Sequence, residues 1–562
     1  MPSSGPGATA TQATPHNGPV TEKENEQSGA DLLVESLLAS GIRTVFGLPG
    51  VQLDPAFDAL ARRADRVRVY HTRHEQATSY MADGYARASG ELGCCLVVPG
   101  PGVLNAMSGL ATAYACSSQV LCVAGQVNSQ HIDAGRGVLH EIPHQLEMLR
   151  SVVKWSGRAS RPEDVPVVVA EAVRQMRTGR PRPAAVEVPP DVLDATAGTA
   201  MTAPELDGRP PIDGSRLEQI AGLLHGAERP LVMAGGGVLQ SDATADLAEL
   251  AERLEAPVLL SPNGKGALSA RHRLAFEGPL AGDLVNGADV ILAVGTRFAS
   301  PGGWRWRLRP EQRLLRIDAD PEELTRDVVP HVAVEADAQA ALELLADLLP
   351  PRPPTAWRGL DELRERVRAE VDSIEPQHSL GMAIRRALPD DAILVHGMTQ
   401  VGYWSRVGYP VYEPRTFIGS GYQGTLGFEL PTGLGAQVGR PDRRVVVTVG
   451  DGGLLFNIQE LATAVQHGIP VTVVVFNDNA YGNVRRMQRQ RFGRLIASDL
   501  RNPDFVRLAE SFGARGARVE GPEALEHAVR QSLDGEGPAL IEVPVGEMPD
   551  PFPILMRARA RT

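Results

Sequence analysis

Two acidic residues, Asp451 and Asp478, stand where apolar runs end and could together hold a metal ion. Asp451 lies in Gly450-Asp451-Gly452-Gly453, directly after Val445 to Val449, and Asp478 closely follows the run Val471 to Phe476. Apolar residues at helical spacing lie between the two runs, which predicts a strand, helix, strand unit with both carboxylates at strand ends. Ligands of doubly wound sheets collect there, and glycines beside a helix N-terminus let backbone N–H groups approach phosphate oxygens. The pattern therefore predicts a site where a hard cation such as Mg²⁺ joins both carboxylates, a backbone carbonyl near Ala480 and a diphosphate.

This pairing resembles the signature of the thiamine diphosphate (ThDP) enzymes, in which Gly-Asp-Gly is followed at about this distance by an Asn-Asn or Asn-Asp pair, here Asn477-Asp478. The resemblance covers nearly all of the chain beyond residue 28. Two unrelated turns are the alternative, because Gly-Asp-Gly alone is common in turns. The resemblance implies that Asp451, Asp478 and Ala480 bind the metal. It also implies a set of cofactor contacts in this region: Gly450, Asp451, Gly452, Gly453, Asp478, Tyr481 and Gly482.

The elements that must position these residues are predicted to form several domains, because 562 residues are too many for one core. Proline- and glycine-rich stretches at Ala195 to Gly214 and Pro350 to Pro354 divide the chain. Within each part, β-branched runs alternate with amphipathic helices, which predicts an α/β fold of three doubly wound parallel-sheet domains. The predicted bounds are 29–194, 215–349 and 375–548, after a disordered tail over 1–28. In the ThDP family this order corresponds to pyrimidine-binding, central and diphosphate-binding domains.

Bulk composition narrows the possible partners. The formal net charge of −12 disfavours nucleic acid and anionic membranes, because a polyanion would be repelled. The four cysteines, Cys94, Cys95, Cys116 and Cys122, lie in apolar contexts without metal-ligand spacing and are interpreted as core residues. The N-terminal stretch lacks the features of a signal peptide, and no apolar run approaches the length of a membrane span. We therefore expect a soluble cytoplasmic protein.

Glu75 is the predicted catalytic acid. It lies in His71-Thr72-Arg73-His74-Glu75-Gln76 and opens a helix whose apolar stripe is Ala77, Met81, Tyr85 and Ala88. In the ThDP enzymes a glutamate in this context faces N1′ of the aminopyrimidine, and an apolar pocket would let it share a proton with that nitrogen. The resemblance implies that this sharing produces the 4′-imine that deprotonates C2 of the thiazolium. The alternative is that Glu75 only favours the positive end of its helix.

Further cofactor contacts follow from the resemblance. Gly424-Thr425-Leu426-Gly427 is similar to the family's Gly-Thr-Met-Gly segment, which makes Leu426 the wedge that bends the cofactor and offers the Gly424 carbonyl to its 4′-amino group. Gln400, after the predicted strand Ala392 to Val395, is expected at the diphosphate, with nearby His396 as a second candidate or an ordinary loop residue. Gly50, in the first strand-to-helix turn, is another predicted contact. That turn lacks a dinucleotide fingerprint, which argues against a dehydrogenase.

The predicted substrate pocket departs from that of the acetolactate synthases. Pro99-Gly100-Pro101-Gly102 could line the thiazolium side of the cleft. Leu139-His140-Glu141 replaces the family's Phe-Gln-Glu, so His140 is a candidate catalytic residue that donates to a developing oxyanion or relays a proton after CO₂ leaves. A surface histidine is the competing view. Met487 stands where acetolactate synthases carry a tryptophan, which leaves a more adaptable pocket.

The central part could bind FAD or ADP, or nothing. Its strand-end loops are Gly235-Gly236-Gly237, Asn263-Gly264-Lys265-Gly266, Gly295-Thr296-Arg297 and Asp318. A glycine-rich turn between strand and helix is weak support for a nucleotide.

Together the motifs predict a ThDP- and Mg²⁺-dependent carboligase, similar to acetolactate synthase, that decarboxylates a 2-oxo acid and couples it to a second carbonyl compound. The alternatives are a simple 2-oxo acid decarboxylase, a 2-hydroxyacyl-CoA lyase and, from another class, a non-catalytic regulator. The regulator is disfavoured because Glu75 and Asp451 are both present. In this family ThDP lies between two chains, so the resemblance implies a homodimer or homotetramer in which Glu75 and Asp451 meet across the subunit interface.

Overall fold

The computed structural model describes residues 26–198, 201–202, 211–278, 282–298, 308–351 and 357–555. Within these ranges the chain forms three six-stranded sheets whose strands are all parallel, with helices packed against them. The predicted α/β fold is confirmed. Residues 1–25 of the predicted tail lie outside the described residues, and its last two residues differ from the prediction: Gln27–Ser28 pair in antiparallel fashion with Thr196–Ala197, inside the predicted linker.

The first sheet carries the helix that begins at Glu75. Its strands and the short pair beside it are β1 (Gln27–Ser28), β2 (Thr44–Gly47), β3 (Arg68–His71), β4 (Gly93–Val97), β5 (Val120–Gly125), β6 (Trp155–Arg158), β7 (Ala184–Val188) and β8 (Thr196–Ala197). The helices are α1 (Gly29–Ala39), α2 (Asp54–Ala61), α3 (Glu75–Ser89), α4 (Pro101–Cys116), α5 (Gln145–Arg150), α6 (Asp164–Arg177) and α7 (Pro190–Asp194). The strand order is β3-β2-β4-β5-β7-β6.

The central sheet has a different order, β11-β10-β9-β12-β13-β14. Its strands are β9 (Pro230–Ala234), β10 (Val258–Leu260), β11 (Ala275–Glu277), β12 (Val290–Val294), β13 (Arg313–Asp318) and β14 (Val332–Glu335). The helices are α8 (Gly214–Gly226), α9 (Gly236–Gln240), α10 (Thr244–Leu254), α11 (Gly282–Gly287), α12 (Pro321–Thr325) and α13 (Ala338–Leu348). This is the order of dinucleotide-binding sheets, in which the chain reverses direction between the first and fourth strands.

The third sheet repeats the plan of the first, with the order β16-β15-β17-β18-β20-β19. Its strands are β15 (Ile393–His396), β16 (Phe417–Ile418), β17 (Val445–Gly450), β18 (Thr472–Asn477), β19 (Arg515–Arg518) and β20 (Ala539–Pro544). The helices are α14 (Leu360–Asp372), α15 (Gln377–Ala387), α16 (Gln400–Gly408), α17 (Glu429–Gly439), α18 (Asp451–Leu454), α19 (Glu460–Gln466), α20 (Gly482–Phe492), α21 (Phe505–Ser511), α22 (Pro522–Leu533) and α23 (Phe552–Leu555).

The first and third sheets share one apolar core, because α3 packs tightly against α17. Glycines permit the close approach: a Cβ atom at Gly84 would lie 2.0 Å from the carbonyl oxygen of Thr432, and one at Gly435 would lie 1.9 Å from that of Met81. The predicted stripe of α3, from Ala77 through Met81 to Ala88, is buried. The helix that opens at Glu75 is therefore fixed between two sheets.

The fold shows the positions of the four cysteines and of the chain between Asp451 and Asp478. Cys94, Cys95 and Cys122 are buried and Cys116 is partly buried, and all four are free thiols, as expected of core residues. The predicted helix between Asp451 and Asp478 is split into α18 and α19. Among the described residues, no helix has the length and apolarity needed to cross a membrane. The domain bounds given above stay predictions.

Candidate functional site

The carboxyl groups of Asp451 and Asp478 meet at the carboxyl ends of the adjacent strands β17 and β18. Asp451 is the first residue of α18, directly after β17, and Asp478 follows β18. Burial raises the pKa of both groups, and the nearby charge of Asp451 raises that of Asp478 further. Two carboxylates this close repel each other when both are ionised, and a bound cation would relieve that repulsion. The pair therefore fits a hard divalent ion.

The backbone at Ala480 is arranged to add a third oxygen. Ala480 faces Asp499 in an isolated antiparallel bridge. The bridge is closed by Leu500 N–H donating to the Asn479 carbonyl at 2.7 Å and by Tyr481 N–H donating to the Ser498 carbonyl at 2.8 Å. Neither bond uses the Ala480 carbonyl, and no other hydrogen-bond donor among the residues that the structure describes reaches it. No group of three or more His, Cys, Asp or Glu side chains suited to a metal occurs among the described residues. The remaining ligands of a cation here would be backbone and diphosphate oxygens.

Predicted diphosphate contacts lie beside this pair. Gln400, Asp478 and Gly482 line one small cavity of about 20 Å³. The side-chain oxygen Oε1 of Gln400 is buried and has no hydrogen-bond partner in the described part of the chain. A Cβ atom at Gly482 would lie 2.2 Å from Oδ2 of Asp478, so any other residue there would have to displace that carboxylate. Gln400 is far from Asp478 and Gly482 in sequence, and the motifs assigned all three residues to the cofactor. The structure places them around one cavity.

Asn502 belongs to this cluster, although no motif indicates it. Its Nδ2 donates to Oδ2 of Asp451 at 2.6 Å and to Oδ1 of Asn477 at 2.9 Å. Asn477 in turn donates to Glu542 at 2.8 Å. The amide of Asn502 therefore helps to fix the orientation of the Asp451 carboxylate. Its loop position, remote from both motifs, left no sequence signal for this role.

Glu429 is a second residue that the sequence analysis missed, and it joins the loops around the site. Its side chain is 1% exposed, Oε1 accepts from the Met398 N–H at 3.4 Å, and Oε2 is buried without a partner among the described residues. A Cβ atom at Gly397 would lie 2.6 Å from Oε1, and one at Gly453 would lie 3.6 Å away. The carboxyl group thus lies between the segment that leads to Gln400 and the turn that carries Asp451.

Burial raises the pKa of Glu429 to about 7, which predicts a pH-dependent stability. As pH rises from the usual carboxyl range towards 7, the unfolded chain ionises here first, so the native state loses stability by on the order of 3 kcal/mol. Glu429→Gln removes this titration. We expect the Tm of the variant to rise relative to that of the wild type between about pH 5 and about pH 8. A Tm difference that is constant across this range would contradict the assignment of a buried, raised-pKa carboxyl group.

The predicted wedge segment lies over the Gly450 to Gly453 turn. Leu426 is partly buried, and its Cδ2 lies 3.8 Å from the Cβ position of Gly453. Gly424 has a φ of 56°, a left-handed conformation that favours glycine. The hydroxyl of Tyr80 lies 3.4 Å from that of Thr425. Within one chain, the wedge segment therefore touches both the predicted metal turn and α3.

Glu75 begins α3 as predicted, but its surroundings are more polar than the expected apolar pocket. His74 caps the helix by accepting from the Gln76 N–H at 3.1 Å. The side chain of Asn105, from α4, donates to Oε2 of Glu75 at 3.0 Å. Gly102 lies alongside, because a Cβ atom there would be 3.6 Å from the Glu75 side chain. Asn105 gives this carboxyl group a fixed orientation.

The Pro99 to Gly102 turn connects Glu75 with His140. A Cβ atom at Gly100 would lie 2.4 Å from the carbonyl oxygen of His140, and Gly50 packs on Val98 just before the turn. The Gly100 N–H donates to Oε1 of Gln145 at 2.8 Å, whose Nε2 donates to Glu187 at 2.7 Å. The turn therefore rests on a buried, hydrogen-bonded network. His140 is partly buried.

A large cavity of about 610 Å³ opens where the central sheet reverses direction. Its lining includes predicted loop residues from the central part: Gly236, Gly237, Asn263, Gly295, Thr296, Arg297 and Asp318. Burial raises the pKa of Asp318 to about 6. Lys265 does not line it, because its ammonium group is buried in an ion pair with Glu277 at 2.5 Å and donates to the Tyr409 carbonyl at 2.7 Å.

His396 also lines the large cavity and is not part of the Gln400 cavity. Its ring stacks on Phe417 with centroids 4.4 Å apart, and burial holds its pKa well below the usual value. The hypothesis that it contacts the diphosphate beside Gln400 is therefore not supported by its position.

Comparison with protein families gives three matches along the chain. Residues 27–148 match the thiamine pyrophosphate enzyme N-terminal TPP binding domain, 217–345 the central domain and 397–543 the C-terminal TPP binding domain. Thiamine pyrophosphate is another name for ThDP. The three matches fall on the three sheets in the predicted order, and the two TPP-binding matches contain Glu75 and the Asp451–Asp478 pair respectively.

Curated relatives align over nearly the full length. The chain is 35% identical to a probable 2-ketoarginine decarboxylase of Pseudomonas aeruginosa, over 91% of this chain and 93% of the relative. It is 35% identical to the acetolactate synthase isozyme 3 large subunit of Escherichia coli, over 90% and 92%. It is 32% identical to a probable acetolactate synthase large subunit of Methanocaldococcus jannaschii, over 92% and 91%. The chain therefore belongs to the thiamine diphosphate-dependent enzymes, in their acetolactate synthase-like group.

Proposed function

We propose that this enzyme is a Mg²⁺-dependent carboligase of 2-oxo acids, which decarboxylates a donor and couples it to a second carbonyl compound. The observation that carries the proposal is the pair of buried Asp451 and partly buried Asp478, whose mutual repulsion, together with the nearby Ala480 carbonyl, suits a cation that anchors a diphosphate. ThDP, when bound, supplies a nucleophilic carbon and an electron sink for the decarboxylation of a 2-oxo acid.

We propose the residue roles that the family resemblance implies, and the positions of the residues support them. Asp451, Asp478 and the Ala480 carbonyl would hold the metal, and Asn502 would keep Asp451 oriented. The diphosphate would contact a set of residues around the same turn: Gln400, Gly450, Gly452, Gly453, Tyr481 and Gly482. Leu426 would separate the cofactor rings, with the Gly424 carbonyl and Gly50 lining the cofactor. Glu75, oriented by Asn105, would exchange a proton with the aminopyrimidine.

Simple decarboxylation is the second candidate function. A relative of equal identity is named a probable 2-ketoarginine decarboxylase. In addition, Met487 on α20 is 56% exposed, so the side chain that stands in place of the family's tryptophan does not form a rigid wall in this chain. A pocket that does not hold a second carbonyl compound would release an aldehyde instead of a coupled product.

The test is a substrate panel. The purified protein, with ThDP and Mg²⁺, would be incubated with 2-oxo acids bearing small, aromatic and basic side chains, with and without an acceptor aldehyde. Mass spectrometry of CO₂ and of the organic products distinguishes a coupled hydroxyketone or 2-hydroxy-3-oxo acid, expected here, from a simple aldehyde. Glu75→Gln serves as the control for background reaction. Absence of CO₂ release from every 2-oxo acid would refute the proposal.

We also propose that the active sites lie between two chains of a homodimer or homotetramer, as the resemblance implies. Mixing inactive Glu75→Gln and Asp451→Asn chains tests this. If Glu75 of one chain serves Asp451 of another, each mixed dimer holds one intact site, and activity returns to up to about a quarter of the wild-type rate. If both residues of a site come from one chain, the mixture stays inactive.

The large cavity is proposed to hold an adenine nucleotide, FAD or ADP. It lies at the switch point of a sheet with dinucleotide-binding order, beside the glycine turn Gly235 to Gly237. Mass spectrometry of small molecules released by denaturing the purified protein would identify a nucleotide. Addition of FAD or ADP to nucleotide-free protein should raise its Tm, and no shift with either would contradict the proposal.

A further inference from the structure

His140 is held in an unusual backbone conformation. Its φ is 69°, in the left-handed region that non-glycine residues rarely adopt. Such a conformation persists only where the surroundings impose it. Here the Glu141 carboxylate accepts from the N–H groups of Arg136, Gly137 and Val138 at 3.2, 2.6 and 3.1 Å, and Gly100 leaves room for the His140 carbonyl. The contacts of this turn, and not the backbone preference of histidine itself, therefore determine the position of the imidazole.

Gln52 is the side chain that contacts this imidazole. It lies in the first strand-to-helix turn of the same sheet, directly after the turn that carries Gly50, and is 8% exposed. Its Nε2 donates to the carbonyl oxygen of Leu139 at 3.2 Å, and its Oε1 lies 3.1 Å from Nδ1 of His140. One buried amide thus contacts both the backbone and the ring of the His140 turn.

These two contacts fix the hydrogen positions. A backbone carbonyl oxygen can only accept, so the amide nitrogen of Gln52 must face Leu139, and its oxygen must face the ring. An amide oxygen also only accepts, so Nδ1 of His140 must carry the hydrogen. In a neutral ring the other nitrogen, Nε2, then has a free lone pair. Nε2 makes no hydrogen bond within the described ranges of the chain.

We propose that Gln52 is a positioning residue that holds His140 as the Nδ1–H tautomer, so that Nε2 accepts a hydrogen bond from a substrate hydroxyl and does not donate to an oxyanion. The inference rests on the proposed function for its catalytic meaning. It rules out the first of the two catalytic roles considered from the sequence, donation from Nε2 to a developing oxyanion. The His140 carbonyl packs on Gly100 and the Glu75 side chain lies beside Gly102, so both residues contact the Pro99 to Gly102 turn.

The tautomer can be measured without cofactor or turnover. Protein with ¹⁵N-labelled histidine side chains would be studied by NMR at about pH 8, and the His140 signals assigned by their loss in His140→Gln. We expect the wild type to show a protonated Nδ1 and an unprotonated Nε2. Gln52→Leu should shift the ring towards the Nε2–H form, whereas Gln52→Glu, which can still accept from Nδ1–H, should keep the wild-type pattern. An Nε2–H ring in the wild type would overturn the proposal, whether or not the variants fold.

Kinetics give a second, separate readout once a substrate is known. Gln52→Leu should lower kcat by about 10-fold or more while leaving ThDP affinity unchanged, and Gln52→Glu should retain most of the wild-type rate. Unchanged turnover in Gln52→Leu would overturn the catalytic part of the inference. Because the NMR measurement needs no reaction, failure of the proposed function and failure of this inference give different results.

Discussion

Glu75→Gln is expected to bind ThDP and Mg²⁺ with the affinity of the wild type and to lose about three orders of magnitude in kcat. The carboxyl group can exchange a proton with a ring nitrogen, whereas an amide can only hydrogen-bond to it. The substitution keeps the size of the side chain and can keep the 3.0 Å contact with Asn105. The loss should therefore fall on the proton-transfer step and spare binding.

Calorimetry of cofactor binding, together with steady-state turnover of the best substrate, checks this expectation. Glu91→Gln is a matched control, because Glu91 follows the same helix and contacts Tyr85 at its far end, away from the site. The control should turn over at the wild-type rate. Full turnover by Glu75→Gln would remove Glu75 from the mechanism, and loss of cofactor binding would make it a binding residue instead.

Much of the fold follows from local patterns. Valine-rich runs such as Val445 to Val449 are buried on both faces, and each ends in glycine or a polar residue, so their nature as parallel strands can be predicted from composition alone. The start of α3 at Glu75 follows from the apolar stripe and the capping histidine. Pairing of Asp451 with Asp478 was predictable because adjacent parallel strands present their carboxyl ends at one edge of a sheet.

The remaining features depend on contacts between distant segments, which no local pattern encodes. Asn502 reaches Asp451 from a loop after the bridge at Asp499, and Gln52 reaches His140 across the first sheet. Glu429 looks in sequence like an ordinary first-turn acid of a helix. Only the packing of α17 buries it between two loops.

The strand orders show why the candidate sites lie where they do. The first and third sheets reverse direction between their first and third strands, and the central sheet reverses between its first and fourth. At each reversal, neighbouring loops diverge and leave a crevice at the carboxyl ends of the strands. The Pro99 turn borders the crevice of the first sheet, and the Asp451 turn borders that of the third sheet. The large cavity opens at the crevice of the central sheet. The sequence identifies residues at strand ends, but strand order decides which of them meet.

Asp451→Asn is expected to lower the affinity for ThDP in the presence of Mg²⁺ by at least about 100-fold, because removal of residues that merely support a metal ligand already costs 10- to 100-fold. An amide keeps the shape of the side chain but contributes no negative charge to the cation. Calorimetric titration with ThDP, with Mg²⁺ present and with the metal removed by a chelator, measures the loss. In the wild type, removal of the metal should abolish binding in the same way.

The Tm of Asp451→Asn shows whether the variant has lost only its ligand site or has failed to fold. Without metal, the wild type places two mutually repelling carboxyl groups together, so Asp451→Asn should have a Tm at least as high as that of the wild type. Addition of ThDP and Mg²⁺ should then raise the Tm of the wild type and leave that of the variant unchanged. Asp499→Asn, at the exposed residue that faces Ala480 in the isolated bridge, is the matched control and should respond like the wild type. An Asp451→Asn protein that still gains stability from the cofactor and metal would show that the anchor lies elsewhere.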